Sequence, residues 1–143
     1  MTDEARRAGF LEALTSGRIR PPACAVTLGL EIIAYDPETR SIRLSFQGRP
    51  EFANPIGNVQ GGFLSAMLDD AMGLASACEL GEGEFAPTLG LSVQFHRPAA
   101  IGPLVGIGRV VTRGSTVCQL AGELFQNDRM VASATATAII RKT

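Results

Sequence analysis

With 143 residues, the chain is long enough to bury a core without disulfide or metal staples, and it reads as one domain, 1–143, with a helix and linker over 1–22. Its net charge of −1, with both signs interspersed, leaves no basic stripe for a nucleic acid, and no run approaches the ~20 apolar residues that span a bilayer. The opening MTDEARRAGFLEAL mixes acids and arginines without the apolar stretch of a signal peptide, so a cytoplasmic protein is expected.

Phe10, Leu11 and Leu14 fall at helical spacing within 3–15, with Glu4, Arg6 and Arg7 on the other side. This predicts a short amphipathic surface helix, ended by Ser16-Gly17 and barred from continuing by Pro21-Pro22. The β-rich runs 25–36 and 40–46, separated by Pro37-Glu38-Thr39, predict a hairpin, and the segment GRPEFANPIGN after it is loop-like. From Gly62 to Leu80 the pattern is helical and apolar around its whole circumference, the mark of a buried helix. Leu64, Leu68, Ala71, Ala75 and Cys78 form one stripe, and Phe63, Met67, Leu74 and Ala77 a second. Gly81-Glu82-Gly83 ends this helix instead of opening one, so it is not a phosphate loop. Strands are expected at about 87–97, 103–112, 116–126 and 129–141; in the first, Leu89, Leu91, Val93 and Phe95 alternate with polar or small residues. The Ala/Thr-rich last strand suits close packing. Six strands joined by hairpin-length turns, with one long central helix, predict an α+β fold built on an antiparallel sheet. Cys24, Cys78 and Cys118 lack Cys-x-x-Cys spacing and read as reduced, mostly buried thiols.

The stretch from Asn54 to Asp70, NPIGNVQGGFLSAMLDD, points to chemistry. Glycines at a helix start leave bare backbone N–H groups at its positive end, a device for holding an oxyanion or a phosphate. An acid two turns into an apolar helix is costly to bury and calls for a reason.

The order of elements, with this motif at the helix start, resembles the hotdog-fold thioesterases, and more closely the phenylacetate-degradation-type (4-hydroxybenzoyl-CoA thioesterase-like) acyl-CoA thioesterase family. The resemblance covers roughly 24–141. The family pattern is an Asn, six residues on a His-Gly-Gly, and an Asp nine residues after the His. Asn54, Gly61, Gly62 and Asp69 match it, while Gln60 stands where the family has His. Downstream, Thr88 precedes Phe95-His96-Arg97-Pro98 at the spacing of the family's polar residue before Phe-x-Arg-Pro. The resemblance implies a long central helix wrapped by a curved antiparallel sheet of about six strands. It also implies hydrolysis of an acyl- or aryl-CoA to free acid and CoA, with no metal and no cofactor beyond the CoA of the substrate. By the same resemblance the Gly61 N–H polarises the thioester carbonyl, Asp69 is the general base or the nucleophile, Asn54 orients the carbonyl or the water, and Thr88 helps position the water. Arg113-Gly114 forms a strand turn where similar proteins place basic residues against CoA phosphates, and Arg97 and Arg109 are further cationic candidates; Ser115 replaces the usual basic residue after that glycine.

Gly61 and Asp69 are eight residues apart, about 12 Å along one helix. An oxyanion donor and a base must both come within ~3 Å of one reacting centre. One helix cannot supply both, so two antiparallel copies across a two-fold axis are expected, giving a homodimer as the minimal active unit. The resemblance allows pairing of such dimers into tetramers. Asp70 lies about 100° round the helix from Asp69, and is expected as a hydrogen-bonded or interface carboxylate. Glutamine at 60 keeps a donor and an acceptor but has no titratable proton, a change that a base at Asp69 survives. His96 is the only histidine, on the polar side of a strand with no motif around it, and reads as solvated or hydrogen-bonded. One histidine and scattered cysteines match no metal-ligand spacing.

Two other functions stay in view. One is a catalytically weak acyl-CoA or acyl-carrier binding protein, made plausible by Gln60; the other is a hydratase or dehydratase, which needs a His near the acid that this chain lacks. Phe63, Met67, Phe85 and Phe95 are candidate walls of an acyl tunnel, although such spacings also serve a core.

Overall fold

The structure, a computed structural model, describes residues 2–143. Helix α1 (Asp3–Thr15) takes the predicted range, started by Thr2, whose hydroxyl accepts from the Ala5 N–H at 3.1 Å, with Asp3 and Glu4 in its positive first turn. No residue of α1 is fully buried. It is tethered instead by Leu11 on the core margin and by Arg7, which donates to Glu79 at 3.0 Å; the Tyr35 hydroxyl donates to the other Glu79 oxygen at 2.7 Å.

The run 25–36 is not one strand. Its first part is a short helix, α2 (Ala23–Thr27), and only Glu31–Asp36 forms β1. Gly29 is the reason: at φ +65 it takes the left-handed position after the helix, with Gly29 N–H bonded to Val26 C=O and Leu30 N–H to Ala25 C=O, both at 3.0 Å. That is a Schellman ending, which apolar alternation alone does not reveal. The predicted hairpin follows, β1 pairing with β2 (Ser41–Gly48).

After a 3₁₀ turn at Pro50–Phe52, helix α3 runs Gly61–Ala77, closing three residues earlier than its apolar pattern, with Cys78 as its cap. Then come β3 (Glu84–Phe85), β4 (Thr88–Phe95), β5 (Gly102–Arg113), β6 (Val117–Gln126), β7 (Arg129–Ile139) and β8 (Arg141–Lys142). Six strands form one antiparallel sheet in the order β1-β2-β5-β6-β7-β4, while β3 and β8 pair separately.

Helix α3 lies on the middle of this sheet because two glycines make room for it. Gly108 on β5 and Gly122 on β6 are cross-strand neighbours. A Cβ on Gly108 would collide with the Ala71 carbonyl of α3, and one on Gly122 would come within 3.1 Å of Met72. Around this seat Leu64, Met67, Leu68, Ala71, Met72 and Ala75 are buried against Phe46, Leu104, Leu124 and the alanine face of β7 (Ala132, Ala134, Ala136, Ala138). The small residues of β7 thus serve sheet–helix packing.

Burial of α3 is less complete than its composition predicts. Phe63, Ala66, Leu74 and Ala77 are only partly covered. On β4 only Val93 packs on the core, while Leu89, Leu91 and Phe95 are 65%, 39% and 55% exposed. The helix and the edge strand leave apolar surface on the same side of the molecule. Cys78 and Cys118 are buried as expected, but Cys24 is exposed. No helix among the described residues is long and apolar enough to cross a membrane.

Candidate active site

The loop before α3 is folded by its own polar groups. The Asn54 side-chain oxygen accepts from the N–H groups of Ile56 (3.1 Å) and Asn58 (3.0 Å), and the Asn54 N–H donates to the Asn58 carbonyl at 2.7 Å. Asn54 is therefore the closing residue of an Asx turn, with its carbonyl-type oxygen engaged and its NH₂ group remaining for other work. Gln60 is the N-cap of α3, its side-chain oxygen accepting from the Gly62 N–H at 2.7 Å. That bond occupies Gly62 and leaves the Gly61 N–H without an acceptor among the described residues. The Phe95 ring lies against Gly61, so close that a Cβ there would be 3.0 Å from its Cζ atom.

Two turns further on, Asp69 is half-buried and accepts a hydrogen bond from the Thr88 hydroxyl at 2.8 Å. The sequence-matched pair Asp69 and Thr88 is thus in direct contact. Gly61 sits at the Phe95 end of β4 and Asp69 at the Thr88 end, so the two groups face opposite ends of the edge strand.

Of the two alternatives expected for Asp70, a hydrogen-bonded or an interface carboxylate, the first is not met at its Oδ2. That oxygen is enclosed and has no hydrogen-bond donor among the described residues. Burial, and then the neighbouring Asp69 charge, push its carboxyl up to about 6. The 100° offset between the two acids does not send them to different places, because both line one cavity of about 710 Å³. Its far wall is the N-terminal segment, with Leu14, Pro21, Pro22 and Ala25, and Thr88 stands at its β4 side.

None of the four residues offered as tunnel walls lines this cavity. Met67 is core, Phe63 stacks on Phe52 at 4.1 Å between ring centres, Phe95 covers Gly61, and Phe85 is exposed on β3. The cavity walls that sequence reasoning missed are Asp70, Glu31 and the linker prolines. The Asp69-Asp70 doublet was a visible signal; nothing in residues 14–25 marks them as facing α3.

The cationic candidates separate. Arg113 donates to Glu84 at 2.8 Å and to the Gly114 carbonyl at 2.7 Å, while Gly114 N–H closes the β5–β6 turn on Val117. Glu84, held by the Gly81 N–H and then by Arg113, has its carboxyl below the ordinary range. Register puts Arg113 on the same cross-sheet row as Thr88, through Cys118 and Ala138, three strands or about 14 Å away. Arg97 lies at the Gly61 end, exposed, with one N–H on the Met130 carbonyl at 2.8 Å. Arg109 pairs with Glu123 on the outer face of the sheet, where the His96 ring nitrogen is 2.8 Å from the Ser133 hydroxyl. Among the described residues no group of three or more His, Cys, Asp or Glu side chains is arranged to hold a metal.

Similarity to known proteins supplies the class. The thioesterase superfamily profile matches residues 56–133, which includes α3 and most of the sheet. A phenylacetic acid degradation-related protein from Ralstonia eutropha JMP134, a candidate thioesterase, is 41% identical, with a TM-score of 0.87 over 90% of this chain and 98% of that one. Two more distant structures share the fold. A thioesterase from Haemophilus influenzae is 19% identical with a TM-score of 0.81, covering 92% of this chain and 90% of that one. The phenylacetic acid degradation protein PaaI from Thermus thermophilus is 23% identical with a TM-score of 0.72, covering 80% and 96%. Comparison with curated proteins returns no match.

The chain belongs to the thioesterase superfamily, and its α+β architecture is the hotdog fold. By class it is a thioester hydrolase.

Proposed function

We propose that the protein hydrolyses an acyl- or aryl-CoA thioester to the free acid and CoA, without metal or cofactor, at composite sites formed by two copies of the chain. The observation that carries this reading is Asp69, a half-buried carboxylate on the central helix, held by the Thr88 hydroxyl at 2.8 Å and lining a cavity large enough for an acyl group. As general base, Asp69 takes a proton from water as the oxygen attacks the thioester carbon. The carbonyl oxygen becomes an oxyanion, met by the bare Gly61 N–H at the positive end of α3. Collapse breaks the C–S bond, and the departing thiolate takes the proton from Asp69. If Asp69 is instead the nucleophile, its oxygen attacks the carbon, the C–S bond breaks to release CoA thiolate, and water then hydrolyses the mixed anhydride, its proton going to the thiolate. A single turnover in heavy-oxygen water that leaves the label in Asp69 identifies the second path, with water attacking the aspartyl carbon, since the general-base path labels only the product acid.

The 12 Å between Gly61 and Asp69 along α3 calls for a partner. The edge strand β4 supports one: its eight residues lack a neighbour on one side and expose Leu89, Leu91 and Phe95. A two-fold axis crossing the middle of β4 would set the Thr88 end of one copy beside the Phe95 end of the other. Asp69 of one subunit would then face Gly61 of its partner. Asn54 would orient the carbonyl through its free NH₂, and Gln60 and Gly62 would shape the helix start. Arg97 would meet CoA phosphates directly; Arg113, at its turn with Gly114, would do so by exchanging Glu84 for phosphate. The free cysteines fit a reducing, cytoplasmic setting.

The test is thiol release from a panel of acyl- and aryl-CoA thioesters by the wild type and Asp69→Asn. A fall of about 10²–10⁴-fold in kcat is expected for the variant. Equal rates would remove Asp69 from the mechanism. Binding of CoA esters without release by the wild type would favour the acyl-binding alternative. A fully active monomer in sedimentation would rule out the composite site.

A further inference from the structure

The start of α3 leaves one amide spare, and a single side chain stands against it. The Gln60 N–H donates to the Phe52 carbonyl at 2.8 Å, and the Gly62 N–H to the Gln60 side-chain oxygen at 2.7 Å. The N–H groups of Phe63 and Leu64 share the Gln60 carbonyl at 3.0 and 3.3 Å. Of these neighbouring amides only that of Gly61 lacks an acceptor among the described residues. The Phe95 ring flanks it: a Cβ on Gly61 would lie 3.0, 3.3 and 3.5 Å from the ring's Cζ, Cε1 and Cε2 atoms. That ring is exposed, so core burial does not explain its place. It is nevertheless held firmly. Phe95 pairs with Ala132 of β7, and the next two amides, of His96 and Arg97, both donate to the Val131 carbonyl at 2.8 and 3.2 Å. Their side chains reach the Ser133 hydroxyl and the Met130 carbonyl, each at 2.8 Å.

Resting on the thioesterase reading above, we infer that Phe95 is a positioning residue for the oxyanion: its ring keeps water from one side of the Gly61 amide and so strengthens the hydrogen bond that this amide gives the thioester oxygen. A lone N–H in water is a weak oxyanion donor, because each bond it makes replaces one to water and is screened by the solvent around it. Beside an apolar ring the same N–H has lost part of that hydration before the substrate arrives, and it acts through a medium of lower dielectric. The cost of the poorly hydrated donor falls on the free protein and is recovered as the carbonyl oxygen gains charge. Glycine at 61 belongs to the same device, since it lets the ring approach the backbone this closely. The anchors on Val131, Ser133 and Met130 keep the ring from leaving the amide when a substrate enters.

The experiment has a hydrogen-exchange arm and a kinetic arm. In the free wild type the Gly61 amide, followed by NMR, should exchange with water at least about tenfold more slowly than an unstructured glycine amide, although it has no acceptor, and Phe95→Ala should restore most of that rate. In the kinetic arm, Phe95→Ala should lower kcat for thiol release from acyl-CoA esters by about tenfold and change KM by less than about threefold, because the ring acts on charge that is fully developed only in the transition state. Phe95→Leu keeps an apolar wall and should retain both the slow exchange and most of the rate. In a Gly61→Pro background no N–H remains to be shielded, so Phe95→Ala should cause no further loss of kcat; a ring acting by another route would add its own effect. Fast exchange at Gly61 in the wild type, an unchanged kcat in Phe95→Ala, or additive losses in the double variant would overturn the inference while leaving thioester hydrolysis intact. A loss in Phe95→Ala that higher protein concentration reverses would also overturn it, by making Phe95 a subunit contact. No release from any ester by the wild type would overturn the thioesterase reading itself, and the exchange arm, which needs no turnover, would still accept or reject the shielding of the amide. The wild-type exchange rate and Phe95→Leu decide the matter even if Phe95→Ala fails to fold.

Discussion

The first turn of α3 and its middle turn belong to one helix, yet they solve their polar problems differently. At the first turn nearly everything is satisfied nearby: Gln60 caps Gly62, Asn54 bonds to Ile56 and Asn58, and a single N–H, that of Gly61, remains bare beneath Phe95. At the middle turn the needs are met from afar or not at all. Asp69 depends on Thr88, nineteen residues later, and the Asp70 Oδ2 has no donor among the described residues. One region supplies a backbone dipole that local residues prepare. The other supplies side-chain charge whose behaviour depends on what the rest of the fold brings to it.

The sharpest test of that contrast removes the backbone group alone. Gly61 is the first residue of α3, a position where proline is tolerated because its missing N–H had no helical acceptor. Gln60 before it has φ −64 and ψ 140, a conformation that a following proline favours. Gly61→Pro should therefore lower kcat by about 10²–10³-fold, the usual cost of one oxyanion donor, while the helix content by circular dichroism stays unchanged. Gly61→Ala adds the same crowding against Phe95 but keeps the N–H, and should retain most of the activity. Equal losses in the two variants would assign the effect to Phe95 and not to the N–H. In mixed dimers, Gly61→Pro and Asp69→Asn subunits should recover part of the lost rate, since one of the two composite sites is then whole.

The middle turn is tested next through its distant tether. Thr88→Val removes the hydroxyl that holds Asp69 and keeps the shape of the side chain. A fall of about tenfold in kcat with little change in KM is expected, because one hydrogen bond worth about 1–1.5 kcal/mol orients the carboxylate. An unchanged rate would mean that Asp69 is positioned without Thr88.

The same contrast explains what could be read from the residues beforehand. The α3 motif, the hairpin turns and α1 rest on local signals: caps, glycines and periodicity. The central helix ended near its predicted limit because Cys78 and the following glycines are local too. The failures were non-local or disguised. Gly29 turned a β-rich run into a helix ending. The apolar face of β4 looked like core, although only Val93 reaches it, because periodicity records which side is apolar and not what covers it. Asp70 was expected as a hydrogen-bonded or interface carboxylate on general grounds, and no donor to its Oδ2 is found among the described residues.

Asp70 also predicts a pH dependence. Its carboxyl is raised from an ordinary value of 3.8 to about 6 in the folded chain. Between those values the folded state holds a proton that the unfolded state has released, so this group makes stability fall as pH rises through the window. Asp70→Asn removes that slope. Its melting temperature relative to wild type should be higher near neutral pH than at about pH 4, below which both states of the wild type are protonated. A difference that stays constant across the window would show that Asp70 has an ordinary titration and therefore a donor.

The smallest effect belongs to the first turn, and it separates folding from chemistry there. Gln60→Ala deletes the side-chain acceptor of the Gly62 N–H, a loss of about 1 kcal/mol for an N-cap, or a drop of about 3 °C in melting temperature for a chain of this size. Because the Gly61 N–H remains bare in the variant, kcat should fall by less than about threefold, the loss coming only from fraying of the first turn. A larger fall without loss of stability would instead make the Gln60 side chain a direct partner of the substrate. In that case the glutamine would contribute the hydrogen bond expected of the family's histidine, and its role at the helix start would be more than that of a cap.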